Sequence, residues 1–315
     1  MSNTPRPERL LLLDTASLYF RAYFGVPDSV RAPDGTPVNA VRGLLDFIAR
    51  LVGDYSPSHL ACCWDNDWRP RWRVELIPSY KGHRVLAARP DGVDVEVTPD
   101  PLVPQVPIIV DVLEALGLAI VGADGYEADD VIGTLSARAE MPVDIVTGDR
   151  DLFQLVDDER QVRVLYTARG VGRHERVIDE TVVRKYGVLP QQYADFATLR
   201  GDSSDGLPGV AGVGEKTAAS LLATYGDLEG VLAAVDDDAS GLAAGLRGKI
   251  RSAADYLAVA PKVVAVEQQI ALPKIDLGLP QPAPRDPERL EDLTGQWGLG
   301  GSVHRVVSVL NGAPA

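Results

Sequence analysis

Short apolar runs of strand length alternate along the N-terminal part of the chain with longer stretches in which apolar positions recur at helical spacing. The runs predict strands at 9–13, 60–64, 118–121, 143–146 and 162–166, and the amphipathic stretches predict helices at 38–53, 103–116, 127–138 and 181–186. That alternation is the mark of an α/β fold, a mostly parallel central sheet flanked by crossover helices. Between 85 and 107 the periodicity fails. Pro90, Pro99, Pro101 and Pro104 fall among scattered acids there, which reads as a mobile excursion above the sheet. From about Tyr193 the strand pattern stops, helical spacing continues to about Gln269, and Pro273, Pro280, Pro282, Pro284 and Pro287 then mark a linker to two short helices. The expected divisions are an α/β core over 1–192 with the excursion at about 78–107, a helical region over 193–275, and the linker with its helices over 276–315.

Composition narrows the class. At 315 residues, 45% hydrophobic and 24% charged, the chain is ordinary globular protein, long enough to bury roughly three quarters of its unfolded surface. Cys62 and Cys63 are adjacent, a spacing that suits neither a normal disulfide nor a zinc site, so they are expected as buried strand residues in a reducing cytoplasm. No apolar stretch approaches the ~18 residues of a membrane span, and residues 3–8 lack a signal-peptide pattern. The net charge of −14 argues at first against nucleic acid, because phosphate binding needs a basic footprint. Local charge reverses that. Arg69, Arg71, Arg73, Lys81, Arg84 and Arg89 face the single acid Glu75, and Arg160, Arg163, Arg169, Arg173 and Arg176 face only Glu175, so two basic stripes sit inside an acidic protein. Trp64, Trp68 and Trp72 lie in or beside the first stripe; the last two suit either packing or base stacking.

The candidate chemistry lies in the acids. Asp14 follows the first apolar run, Asp65 the second, and Asp149 with Asp151 the fourth, at the carboxyl ends of parallel strands where ligands bind. Glu127, Asp129 and Asp130 open a helix after the third run, with Glu127 and Asp130 on one face. Taken singly, each of these acids has an equally good reading as a cap or a turn residue. Asp202 and Asp205, in the loop Gly201-Asp202-Ser203-Ser204-Asp205-Gly206, complete a set of nine. Nine converging carboxylates would repel severely unless divalent cations neutralised them, and an all-oxygen set suits magnesium or manganese over zinc. Two such ions about 3.5–4 Å apart can drive phosphodiester hydrolysis, which fits both the acids and the stripes. The string from Leu207 through Gly209, Gly212, Gly214 and Lys216 to Leu222 fits a helix-hairpin-helix, in which glycines let backbone amides approach a DNA phosphate and Lys216 neutralises it.

These strings resemble the 5′ nucleases, the family of the 5′-3′ exonuclease domain of bacterial DNA polymerase I and the flap endonucleases. The likeness runs from about Leu10 to about Ala271 through Leu18-Tyr19-Phe20-Arg21-Ala22-Tyr23, Trp72-Arg73-Val74-Glu75-Leu76, Tyr80-Lys81-Gly82-His83-Arg84, Tyr126-Glu127-Ala128-Asp129-Asp130, Thr147-Gly148-Asp149-Arg150-Asp151 and the loop of Asp202 and Asp205. It implies a PIN-like core and at least two ions, with Asp14, Asp65, Glu127, Asp129 and Asp130 around one and Asp149, Asp151, Asp202 and Asp205 around the other. It further implies that Lys81 and Arg84 contact the scissile phosphate at the base of a helical arch, that Tyr80 stacks on the terminal base, that Arg73 supports phosphate binding, and that the hairpin carries a potassium ion. The proline and acid content of the arch segment argues against an ordered helix there without DNA. The implied substrate is DNA with a 5′ flap or a 5′ end beside duplex, cut by a cytoplasmic, stand-alone monomer that cooperates with a DNA polymerase and a ligase. Two enzymatic alternatives and one binding alternative stand against it. A haloacid-dehalogenase-like phosphatase would need a second acid where Ala16 stands; a PIN-type ribonuclease would share the strand-end acids; and a non-catalytic DNA-binding protein would use the hairpin and stripes alone.

Overall fold

A computed structural model describes residues 8–89 and 92–313. The strands are β1 (Leu10–Asp14), β2 (His59–Cys63), β3 (Val85–Ala87), β4 (Val95–Glu96), β5 (Ala119–Val121), β6 (Val143–Thr147), β7 (Val162–Tyr166) and β8 (Glu175–Val177). Six of them form one sheet in the order β5-β2-β1-β6-β7-β8, parallel except for β8. β1 is central and wholly buried, with Leu10 opposite His59 on one side and Val143 on the other. A parallel strand covered on both faces reads as an unbroken apolar run, which is why Leu10–Leu13 marks it so clearly.

Alternate residues of β1 feed two cores. Leu11 and Leu13 pack with α1 (Thr15–Gly25), α2 (Asn39–Tyr55) and, beyond α3 (Arg71–Leu76), with α4 (Gln105–Leu116). Leu10 and Leu12 pack on the other face with α5 (Ala128–Arg138), α6 (Asp179–Tyr186), α7 (Tyr193–Arg200), α8 (Glu215–Tyr225), α9 (Leu228–Asp236) and α10 (Ala244–Ser252). The short helices α11 (Ala254–Leu257) and α12 (Ala260–Val264) follow, and Ala260, Val263 and Val264 close a third cluster with Ile77, Tyr80, Ala197 and Leu207. The C-terminal helices α13 (Pro287–Trp297) and α14 (Gly300–Leu310) return to the first face, burying Leu290, Val303, Val306, Val309 and Leu310 with α2 and α4. A fully buried leucine such as Leu12 contributes about 1.5–3 kcal/mol over an exposed one, and truncating it to alanine costs ~2–5 kcal/mol.

The strands stand within a residue or two of their sequence positions, and both cysteines are buried and unpaired as expected. In keeping with the prolines and acids there, the arch segment holds no α-helix between Lys81 and Pro104 among its described residues; where a mobile excursion was expected, a single 3₁₀ turn at Gly82–Arg84 leads into an antiparallel hairpin of β3 and β4. Val85, Val93, Val95 and Val97 favour extended backbone, and the surrounding prolines deny a helix its amide ladder. Edge strand β8 and helix α1 also have no counterpart in the sequence reading. Among the described residues no single helix is long and apolar enough to cross a membrane.

Candidate active site

Strands β1, β2 and β6 point their carboxyl ends at one cleft of about 1200 Å³. Asp14 ends β1 and caps α1, its Oδ1 accepting the Ser17 amide at 3.1 Å and its Oδ2 the Thr147 hydroxyl at 2.7 Å. Thr147 Oγ1 in turn accepts the Asp149 amide at 2.8 Å, so the ends of β1 and β6 are tied together. Asp65, just past β2, accepts the Ala128 amide at 2.7 Å and fixes the start of α5 beside it. Asp14, Asp65, Glu127, Asp129 and Asp149 line the cleft with Lys81 and Arg84. Asp151, Asp202 and Asp205 are not in its lining and form a neighbouring group, coupled to it through Asp149.

The charges behave as a crowded anionic site should. Burial and then the charge of Asp65 push the Asp14 carboxyl up to about 7. Burial, followed by nearby acids, raises Asp65 to about 6 and Asp205 to about 6. Asp129 and Asp151 are driven well above the usual carboxylate range, first by burial and then by Asp14 and Asp149 for the former and by Asp149, Asp205 and Asp202 for the latter. Glu127 goes the other way, because Lys81 and Arg73 outweigh its burial. Among the described residues no three Asp, Glu, His or Cys side chains close into a ready-made ion cage. The donor set nevertheless fits hard divalent ions: no histidine or cysteine lines the cleft, and the carboxylates repel one another for want of a counter-charge.

Three assigned residues take other places. Asp130 is wholly buried and saturated, accepting the Glu127 amide at 3.2 Å, the Glu267 amide at 3.0 Å and Arg73 at 2.7 and 2.8 Å. It is the capping partner of α5, with no lone pair facing an ion. Arg73 is 2% exposed and clasps Glu127 and Asp130, so it orients acids and does not face a phosphate. Tyr80 is 3% exposed and donates its hydroxyl to Glu127 Oε2 at 2.7 Å, which removes its ring from base stacking. The indole N–H groups of Trp68 and Trp72 donate to the carbonyls of Asp94 and Gly125; both residues are half-buried, and Trp68 lines the cleft.

Lys81 does reach the cleft. It adopts left-handed backbone at φ 47°, donates its amide to the Asp205 carbonyl at 2.9 Å and sets its ammonium against Glu127 Oε1. Arg84 lies 3.1 Å from Glu96 with its guanidinium over the Trp68 ring. The loops of Lys81 and Asp205 are joined a second time, by Ser79 Oγ donating to the Gly206 carbonyl at 2.8 Å. Gly206 has φ 70°, and a Cβ there would collide with the Ser79 carbonyl.

The hairpin glycines divide into two kinds. Gly209 and Gly212 have φ of 65° and 73°, and a Cβ on Gly209 would strike the Gly201 amide, so the turn requires them. Gly214 is the N-cap of α8, with φ −100° and open space around it, so a side chain there is sterically free. Lys216 is exposed on the first turn of α8.

The cleft lining also carries what sequence reasoning left unassigned: Arg21 from α1, Arg50 from α2, and Arg169 and Arg173 from the loop after β7. The second basic stripe signalled the last two, but its other members have local partners. Arg163 bonds Asp144 at 2.6 Å, Arg160 bonds the carbonyls of Ser136 and Ala137 at 3.0 Å, and Arg176 bonds the Tyr55 hydroxyl. The cleft lining therefore carries both signs of charge, six carboxyl groups with Glu96 included and, besides Lys81 and Arg84, these four arginines.

Residues 9–187 match the 5′-3′ exonuclease N-terminal resolvase-like domain and residues 188–284 the 5′-3′ exonuclease C-terminal SAM fold. The chain is 64% identical over 300 residues to a 5′-3′ exonuclease of Streptomyces coelicolor, an alignment covering 95% of this chain and 99% of that one. It is 42% identical over 248 residues to DNA polymerase I of Mycobacterium tuberculosis, covering 78% of this chain but 25% of the polymerase. Among solved structures, flap endonuclease-1 from Methanococcus jannaschii superposes with a TM-score of 0.60 at 12% identity, covering 97% of this chain and 93% of that one. The bacteriophage T5 flap endonuclease in complex with DNA and metal ions gives 0.61 at 15% identity, covering 96% of this chain and 99% of that one. With both domains matched in sequence and acids set at the ends of a parallel sheet, the chain belongs to the 5′-3′ exonuclease family.

Proposed function

We propose that the protein is a structure-specific 5′-3′ exonuclease and 5′-flap endonuclease that hydrolyses DNA phosphodiesters with at least two divalent ions, magnesium or manganese. The observation that carries this reading is a single cleft at the strand ends lined by six carboxyl groups together with Lys81 and five arginines. Asp14, Asp65, Glu127 and Asp129 are the residues to hold one ion, and Asp149, Asp151, Asp202 and Asp205 those to hold the other. Such ions would supply the Lewis acidity that activates water and offsets charge on the phosphate.

The chain's own residues do the rest. Asp130 and Arg73 hold Glu127 in place from behind, while Lys81 and Arg84 bring positive charge to the phosphate as its negative charge grows. The cleft arginines Arg21, Arg50, Arg169 and Arg173 bind phosphates beyond the scissile one, and the hairpin at Gly209–Lys216, rooted by Val210 and Val213 in the core of Leu10 and Leu12, grips duplex through backbone amides. Those contacts read no base sequence. The expected setting is replication and repair in the cytoplasm, with the monomer acting beside a DNA polymerase and a ligase.

The test is incubation of purified protein with magnesium and labelled 5′-flap DNA, single-stranded DNA, blunt duplex and RNA. Cleavage of flaps and of 5′ ends beside duplex, abolished by chelator, is expected. Preferential cutting of RNA would favour a PIN-type ribonuclease, and binding without cutting a non-catalytic clamp.

A further inference from the structure

The hairpin of β3 and β4 is anchored through one residue of its return arm. Asp94 accepts Arg69 Nη1 at 2.5 Å on one carboxylate oxygen and the Arg89 amide at 2.9 Å on the other, and its carbonyl accepts the Trp68 indole at 2.7 Å. Arg69 is fixed in turn, donating to the carbonyls of Tyr80 at 2.6 Å and Pro78 at 3.1 Å. The return arm is thereby held against the segment that carries Lys81 and Arg84. The Val97 amide completes the register by donating to the Arg84 carbonyl at 2.8 Å, which sets Glu96 opposite Val85, the residue after Arg84.

That register puts a carboxylate on a cation meant for DNA. Glu96 Oε1 takes both Nε and Nη2 of Arg84 at 3.1 Å, an edge of the guanidinium suited to a bidentate bond with phosphate. Arg84, Glu96 and Trp68, whose ring lies under the guanidinium, all line the cleft with Lys81. The side chains of Arg84 and Glu96 are 41% and 19% exposed, so a competing anion can reach the pair. Glu96 stands outside the nine acids assigned to ions, yet its charge acts on them: burial, then Glu127 and Glu96, raise the Asp65 carboxyl. At this place a carboxylate both repels the DNA backbone and engages one of its cationic partners.

We propose that Glu96 holds the place of a substrate phosphate on Arg84 in the DNA-free protein and gives it up when DNA enters, so that this hairpin carboxylate sets how tightly the cleft binds. The proposal rests on the reading of Arg84 as a phosphate ligand. The measurement is affinity for a 5′-flap substrate in chelator, for wild type, Glu96→Gln, Arg84→Ala and the double variant, with magnesium-dependent single-turnover cleavage followed in parallel. The amide keeps the shape of Glu96 and removes its charge, while the bonds of Asp94 still anchor the hairpin. Glu96→Gln is expected to bind about fivefold tighter than wild type, the factor that an ion pair within reach of solvent can hold back. With Arg84 already alanine, only bare repulsion is relieved, and the same change should gain less than about twofold. Equal tightening in both backgrounds makes Glu96 a general negative charge and overturns the proposal. So does a Glu96→Gln variant that binds no tighter than wild type, or one whose rate at saturating DNA falls about tenfold or more, which would make Glu96 the residue that aims Arg84. Arg84→Ala with wild-type affinity and rate removes the phosphate ligand and the proposal with it. Wild-type protein that neither binds nor cuts the flap overturns the nuclease reading as well, whereas cutting without coupling between Glu96 and Arg84 leaves that reading standing.

Discussion

Replacing Arg73 by alanine tests whether the cleft is braced from behind by a buried charge clasp. The guanidinium is almost fully enclosed, bonds Glu127, reaches Asp130 at 2.7 and 2.8 Å, and donates from Nε to the Val263 carbonyl at 3.1 Å. Truncation leaves buried Asp130 without its cation and Glu127 with Lys81 alone, and breaking a buried pair in this way costs about 3–5 kcal/mol. At ~2–4 °C per kcal/mol for chains of a few hundred residues, the melting temperature should fall by roughly 6–20 °C. The pH dependence gives a second handle. Glu127 is held below the usual carboxylate range, Lys81 and Arg73 together overcoming its burial. A carboxyl depressed in the folded state stabilises the fold above its unfolded value, and that stability disappears as the pH falls through its folded value. Without Arg73 this contribution shrinks, so the difference between variant and wild type should be widest near neutral pH and close as acid protonates both partners. Urea unfolding followed by tryptophan fluorescence over about pH 4–8 measures both effects. A loss under about 1 kcal/mol at neutral pH, or a difference that widens on acidification, would refute the clasp.

Four further outcomes follow from the cleft. In chelator, the raised carboxyls of Asp14 at about 7 and of Asp65 and Asp205 at about 6 mean that the folded state holds more protons than the unfolded one, so stability should decline as pH rises through that window; a melting temperature that climbs instead contradicts the assignment. Asp149→Ala should abolish cleavage while metal-free DNA affinity stays level or tightens, and wild-type turnover in the variant would remove Asp149 from the centre. Lys81→Ala should lower the single-turnover rate by ~10²–10³, an effect on catalysis larger than on binding; strong loss of affinity with an intact rate would reassign the residue. Arg169→Ala and Arg173→Ala should each flatten the salt dependence of binding by about one phosphate contact, and an unchanged slope would remove these arginines from the DNA path.

The sheet was legible because its parallel strands are buried on both faces and so appear as unbroken apolar runs. Strand β8 was not, since its Glu175 and Arg176 belong to an exposed edge and interrupt any apolar signal. Helix α1 escaped for a related reason: Phe20, Arg21 and Phe24 line the cleft, so its apolar residues do not keep to a core face. Strand-end acids announced the site, but the fates of Asp130, Arg73 and Tyr80 depend on partners scores of residues apart in sequence. Residue type alone states that an arginine is charged; it cannot state that two carboxylates wait for it 54 and 57 residues away. The four arginines converge from three separate segments, a grouping that only the tertiary fold creates.

The double join between the Ser79–Lys81 loop and the Asp205–Gly206 loop has a mechanical and an evolutionary consequence. One side leads directly to the hairpin of the arch segment and the other to the glycine hairpin at Gly209–Lys216, so a pull on either arrives at the root of the other through two neighbouring hydrogen bonds. Lengthening either loop by a residue would shear that join, and Gly206 has no room for even a methyl group. The two loops, more than a hundred residues apart in sequence, are therefore expected to change in step: an added residue should be tolerated only at the outer tips, and a recombinant that exchanges one loop between relatives should need the other along with it.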